Sequence, residues 1–406
     1  MSQNSKNNKI LNILKSKNIR NMCSSELLKG VSTTGEILIL GWLLLELNQS
    51  PVIIGLGIGL RLLPLCMFGM LAGAITDNFN RLTLLKLTTL GSALIYTVLG
   101  IFLLLDIKSV PLIFVATFLN GILWSLQNTS RQAFIYDIIG PNKLITTIGF
   151  INISNRIGGI IGALFLGYLT DIIGIFIAYI CIGICHTFSI IPLLFTDKTG
   201  DYSPVVSGSI KKNISEIASE FKTNSNLVII IILVAILEIL GFSHITVFPN
   251  LAKDVLKVSA VGFGIMNSFK SIGGLLAILM LSNLSENRQN ASIWFIAILG
   301  LGISFLILGN TTDFIIAIFA ITILSGMTAV SDVYSQSIIQ KSVSNEFRGR
   351  AMGAWNLAIG FQIFGNLEIG YIASLLGAGM SLIIHGIGLI MLGIICMLFL
   401  KNIKKI

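Results

Sequence analysis

Ionisable side chains are scarce in this chain, and four of them stand inside long apolar runs: Glu36, Arg61, Glu238 and Lys270. A charge at such a position in hydrocarbon costs several kcal/mol, so each is a functional candidate by default. At 1.5 Å per helical residue, Glu36 lies about 20 Å along the first run and Arg61 roughly 15 Å along the returning second run, at similar depth. Glu238 and Lys270 repeat that relation in the later half of the chain. Two acid–base pairs are therefore expected, Glu36–Arg61 and Glu238–Lys270. Burial disfavours the charged carboxylate and a neighbouring cation favours it, so moving the cation would take up or release a proton. The competing account is two static ion pairs that neutralise buried charge and register helices.

Further polar residues fall where a cavity would need them. Glu26 and Lys29, three apart on one face of the first run, either pair locally or present Glu26 to a cationic or hydroxylated substrate. Arg156, beside Gly158, Gly159 and Gly162, is a candidate for an anionic substrate group or for a partner of Glu36. Trp124, Gln127 and Asn128, with Asn356, Phe361 and Gln362, add aromatic and amide groups to candidate cavity walls. Such a lining suits a bulky amphipathic molecule better than a sugar. His244 is placed to titrate near neutral pH or to hydrogen-bond inside a bundle; His385 is expected at the periphery. Trp42 and Trp294 near run ends predict anchoring at the membrane–water boundary.

Enzyme chemistry finds little support. There is no phosphate-binding glycine loop, which argues against an ATP-driven pump. Cys181, Cys185 and His186 share one apolar run, where packing explains them better than a metal does. No metal or other cofactor is expected. The cysteines (Cys23, Cys66, Cys181, Cys185 and Cys396) lie in or beside apolar runs and form no disulfide framework.

The elements that must position these residues follow from composition. Hydrophobic residues make up 54% and charged residues 11%, with mean hydropathy +0.90, whereas soluble domains carry about 25% charged residues. A spanning helix needs roughly 20 apolar residues. Twelve runs meet that length: 22–47, 51–75, 82–105, 110–135, 146–168, 172–195, 226–249, 259–281, 291–309, 313–338, 350–375 and 379–400. They form two sets of six, 22–195 and 226–400, between a basic segment 1–21, a connector 196–225 and a tail 401–406. In the connector, Ile210, Ile214, Ile217 and Phe221 recur at helical spacing among charged residues, predicting a short amphipathic helix on the membrane surface. Segment 1–21 has no cleavage site after an apolar run, so it does not read as a signal peptide.

The net charge of +9 is distributed by side. With the N-terminus inside, the outer loops receive only Lys108, Lys253 and Lys257, and the remaining loop lysines and arginines fall on the inner side. This predicts both termini in the cytoplasm. It also explains the basic balance without a nucleic-acid partner.

Between the second and third spans the chain reads Gly69-x3-Gly73-x3-Asp77-x3-Arg81. Glycines four apart allow close helix contact, and the acid and base can latch helix ends. This resembles the inner-loop signature of the major facilitator superfamily, with Asn78, Asn80 and Leu82 departing from its usual basic and glycine positions. Gly35-Glu36, Arg61-Leu62-Leu63-Pro64, Arg131-Gln132-Ala133 and Glu346-Phe347-Arg348-Gly349-Arg350 resemble strings of its drug- and siderophore-exporter branch, which includes enterobactin-type and macrolide exporters. By their position at the inner end of span four, Arg131 and Asp137 are expected to form a gate or anchor near the membrane surface rather than a substrate site, with Asp332 at roughly the matching place in the second half.

The resemblance implies an all-α integral membrane protein, twelve helices in two pseudo-symmetric six-helix lobes, working as a monomer in the plasma membrane. It implies a secondary transporter exporting a small organic molecule against proton entry. Uptake by symport, or a transport-inactive sensor or scaffold, is the alternative.

Overall fold

The computed structural model describes residues 16–48, 50–139, 144–197, 224–282, 292–343 and 348–399. The connector helix expected over 210–221 lies outside them. So do the side chains of Gly69, Gly73 and Asp77.

Among the described residues every regular element is a helix. The first six are α1 Lys17–Asn48, α2 Pro51–Asn78, α3 Arg81–Leu104, α4 Val110–Ile139, α5 Leu144–Ile172 and α6 Ile175–Leu194. A broken α7 occupies Ser225–Val255, followed by α8 Ala260–Ser282, α9 Ser292–Asn310 and α10 Phe314–Lys341. The helices Arg348–Gly360 and Gln362–Phe399 complete the set. The last of these is not one rod. Gly377 has φ 85°, outside the helical region, and divides it into the end of α11 and the whole of α12. Eleven helices among the described residues are long and apolar enough to cross a membrane; divided at Gly377, they become twelve.

Local chemistry sets several boundaries. Asn80, Asn224 and Asp313 cap α3, α7 and α10 by accepting from backbone N–H groups of the first turn, which satisfies donors that have no carbonyl partner there. Pro51 starts α2, where its missing N–H costs nothing.

By contacts the chain divides into two compact units, Met1–Ile39 with Phe68–Ser207, and Leu40–Met67 with Gly208–Ile406. The boundary between them passes through α1 and α2.

In the first unit α3 packs along α6, and α1 crosses α5. At that crossing a side-chain carbon on Gly30 would strike the Asn155 carbonyl, and one on Gly158 the Leu27 carbonyl. Only glycine lets these backbones meet, the small-residue contact expected of helices in lipid. One end of this unit is closed by Met22, Leu82, Leu85, Phe134, Ile135, Ile151 and Leu193.

The second unit repeats the same pairs six helices later. Gly302 of α9 lies against the Gly386 carbonyl of α12, and Gly365 of α11 lies against the Ile239 carbonyl of α7. Here the C-terminal part of α1 and most of α2 also pack: Trp42 stacks on Phe263 at 5.6 Å, and Gly55 sits against the Asn366 carbonyl.

Burial is inverted relative to a water-soluble protein. Phe319, Ile315 and Leu375 are about two-thirds exposed, whereas Glu26, Lys29, Glu36, Arg61 and Glu238 are all buried. Apolar side chains outside and charges inside are what a bilayer solvent selects.

Candidate functional site

In the first unit the α1–α5 crossing and α4 bring five polar residues together. Glu26 Oε2 accepts from Arg131 Nη1 at 2.9 Å and from Asn155 Nδ2 at 3.3 Å. The ammonium of Lys29 stands 3.6 Å from Glu26 Oε1, too far for a hydrogen bond. Neither that oxygen nor Lys29 Nζ has a hydrogen-bond partner among the described residues. Arg131 Nη2 donates to Asn128 Oδ1 at 3.1 Å. The local pairing of Glu26 with Lys29 is therefore present, but the hydrogen bond belongs to Arg131. That arginine, expected as a gate beside Asp137, reaches α1 instead. Asp137 is taken by Arg81 at 2.5 Å.

Further along α1, Glu36 Oε1 accepts from Asn120 Nδ2 at 3.0 Å, and Tyr179 lies within electrostatic range of its carboxylate. Glu36 belongs to the first unit and Arg61, buried on α2, to the second.

The second unit is organised around the break in α7. Regular helix ends at Leu237, and Glu238 opens a π-helical turn to Phe242. A 3₁₀ turn follows at Ser243–Thr246, then a short α segment and a second π turn at Leu251–Val255. Such interruptions free backbone carbonyls and recur at functional sites. Here the freed carbonyls have identifiable partners. His244 Nδ1 meets the Gly241 carbonyl at 2.7 Å, and His385 Nδ1 on α12 meets the Leu240 carbonyl at 3.0 Å. Gln362 Nε2 donates to the Phe242 carbonyl at 3.0 Å. A carbonyl only accepts, so each imidazole carries its hydrogen on Nδ1.

Glu238 is buried, and its Oε2 has no hydrogen-bond partner among the described residues. Its charged neighbour is Asp332 of α10. The Lys270 ammonium, expected as the partner of Glu238, stands 5.6 Å over the Phe248 ring and within electrostatic range of His244. Sequence spacing placed Glu238 and Lys270 at matching depth, but depth does not fix the face a side chain points from.

The other singled-out side chains are placed as follows. Gln127 is spent on Thr89 Oγ1 at 2.8 Å, a bond between α3 and α4. Asn356 and Phe361 are exposed, while Trp124 and Arg156 are half-buried. Trp42 and Trp294 are not boundary anchors: both are buried, donating to Glu46 at 2.7 Å and Ser331 at 3.0 Å. His385 is not peripheral but 1% exposed. Asn366, which sequence reasoning does not single out, is fully buried with neither amide atom partnered among the described residues. Its sequence signal is an amide between Gln362 and Glu368 within an otherwise apolar run.

The geometry defines a polytopic helical membrane protein with charges buried among its helices. Comparison places it more closely. The chain matches the family described as transmembrane secretion effector over residues 15–405, and it belongs to that family of major facilitator transporters. The staphyloferrin A transporter of Staphylococcus aureus (strain NCTC 8325 / PS 47) is 24% identical over 380 residues, 90% of this chain and 92% of that protein. Among solved structures, the nucleoside transporter NupG superposes with TM-score 0.74 at 15% identity, covering 94% of this chain and 99% of that one. A peptide transporter POT in complex with sulfate gives TM-score 0.76 at 12% identity, covering 96% and 95%. These structural likenesses carry the fold.

Proposed function

We propose that this chain is a proton-coupled exporter of a small amphipathic organic compound, a siderophore or drug. In this reading it sits in the cell membrane as a monomer with both termini cytoplasmic. It works by alternating access of two six-helix lobes, 22–195 and 226–400. The observation that carries the coupling is the buried Glu238 at the break in α7, whose Oε2 has no hydrogen-bond partner among the described residues and which lies within electrostatic range of Asp332. Two carboxylates beside one another in an apolar bundle repel, and a single proton relieves the conflict. Binding and release of that proton can then follow any movement that changes their separation. Glu36 supplies a second carboxylate in the first unit, held by Asn120. The relative's printed role as a staphyloferrin A transporter supports the siderophore class over a sugar or nucleoside.

Everted membrane vesicles carrying the native chain or its Glu238→Gln variant test this. Native vesicles should accumulate substrate when an inwardly acidic gradient is imposed. The variant should lose gradient-driven accumulation yet retain exchange of labelled for unlabelled substrate. Gradient-driven accumulation at the native level in Glu238→Gln would remove Glu238 from coupling. Accumulation in right-side-out vesicles under an outwardly acidic gradient would establish uptake instead.

A further inference from the structure

Resting on the exporter reading, we propose that Lys29 and Arg131 form a subsite for a carboxylate group of the transported molecule. The argument is one of charge and hydrogen-bond capacity within the first unit.

Glu26 is the anion in electrostatic contact with Lys29, and Arg131 is the other charge that Lys29 feels. The same carboxylate has Arg131 and Lys29 as its charged neighbours. Two cations thus share one anion, leaving one positive charge uncompensated among the described residues in contact with them. Charge of that kind within a membrane-spanning helix is retained where it faces a pathway or a ligand.

Hydrogen bonding points the same way. An ammonium offers three donors and no acceptor, and Lys29 Nζ makes no hydrogen bond among the described residues although its side chain is 3% exposed. Glu26 Oε2 is already occupied by Arg131 and Asn155, and its Oε1, 3.6 Å from Nζ, could take up only one of the three ammonium donors. The Asn128 carbonyl oxygen is occupied by Arg131. The cluster therefore has spare donors. Arg131, at 22% side-chain exposure, is its open edge, while Glu26 and Lys29 are closed in beneath it. An arriving carboxylate would meet Arg131 first and be drawn towards Lys29, competing with Glu26 for both cations. A cationic or merely hydroxylated group, the partner first expected for Glu26, would meet net repulsion instead.

Binding to the purified full-length chain in detergent tests this without any transport assay. The probes are nitrilotriacetate (a carboxylate chelator), catechol (neutral) and ethidium (a lipophilic cation). Native protein should bind nitrilotriacetate in preference to catechol. Lys29→Met should weaken that binding about tenfold or more, and Lys29→Arg should restore much of it. Glu26→Gln, which removes the resident anion, should strengthen it. This opposite sign keeps the proposal testable should Lys29→Met fail to fold, and a purely structural cluster would not produce it. Absence of nitrilotriacetate binding to the native chain, or unchanged affinity in the folded Lys29→Met or Glu26→Gln variant, would overturn the proposal. Failure of the exporter reading reads out separately, as native vesicles that move no compound while the binding series stands.

Discussion

His385 on α12 donates its Nδ1 hydrogen to the carbonyl of Leu240, inside the π-helical turn of α7. The turn is thus held open by a side chain from a helix far along the chain, and His244 does the same for the next carbonyl. Replacing His385 by Leu leaves that carbonyl without its donor in a buried setting, at a cost of about 1–3 kcal/mol. The purified variant should unfold several degrees below the native chain in a detergent melt. An unchanged melt would mean that water or another donor satisfies Leu240.

The α1–α5 crossing makes a sharper prediction about stability. Gly158→Leu would drive a side chain into the Leu27 carbonyl and separate Asn155 from Glu26. We expect little folded protein by size-exclusion chromatography. Gly149, on the same helix, has nothing within 4 Å of an added carbon. Gly149→Ala should be neutral or stabilise by up to about 1 kcal/mol, the ordinary gain in helix propensity. Equal yields from the two variants would discredit the crossing.

Glu36→Gln keeps the size of the side chain and its contact with Asn120 while removing the proton-binding group. Efflux in cells should lose its dependence on the proton gradient, and accumulation of a transported dye or siderophore should rise to that of cells lacking the protein. Proton-driven efflux at native rates in this variant would assign coupling to the second unit alone.

The Arg81–Asp137 pair is close but partly exposed, with side chains 17% and 28% accessible. Screening and side-chain entropy limit such pairs to about 1 kcal/mol or less. A double-mutant cycle of Arg81→Ala and Asp137→Ala on thermal stability should give a coupling energy within that bound. A coupling several times larger would show that this ion pair carries structural weight beyond an ordinary surface pair.

The spans were legible because their signal is local. Runs such as 82–105 and 291–309 foretold α3 and α9 to within a residue, since apolar length is read directly from consecutive residues. The exceptions were also physical. Span seven was expected to end at 249 and to be continuous; instead it breaks at Glu238 and runs to Val255. The break depends on His385 and Gln362 taking up its carbonyls, and nothing in the local sequence records those partners.

By itself the sequence determined twelve apolar runs of membrane-spanning length and set Glu26, Glu36, Arg61 and Glu238 inside them, where all four prove buried. Only the tertiary structure decided which charges meet. Glu26 and Arg131 are 105 residues apart, and Asp332 of α10 lies within electrostatic range of Glu238. Each helical residue turns its side chain about 100° from the last. A partner is therefore chosen by the rotation and tilt of whole helices, and those are set by close backbone contacts such as Gly158 on Leu27.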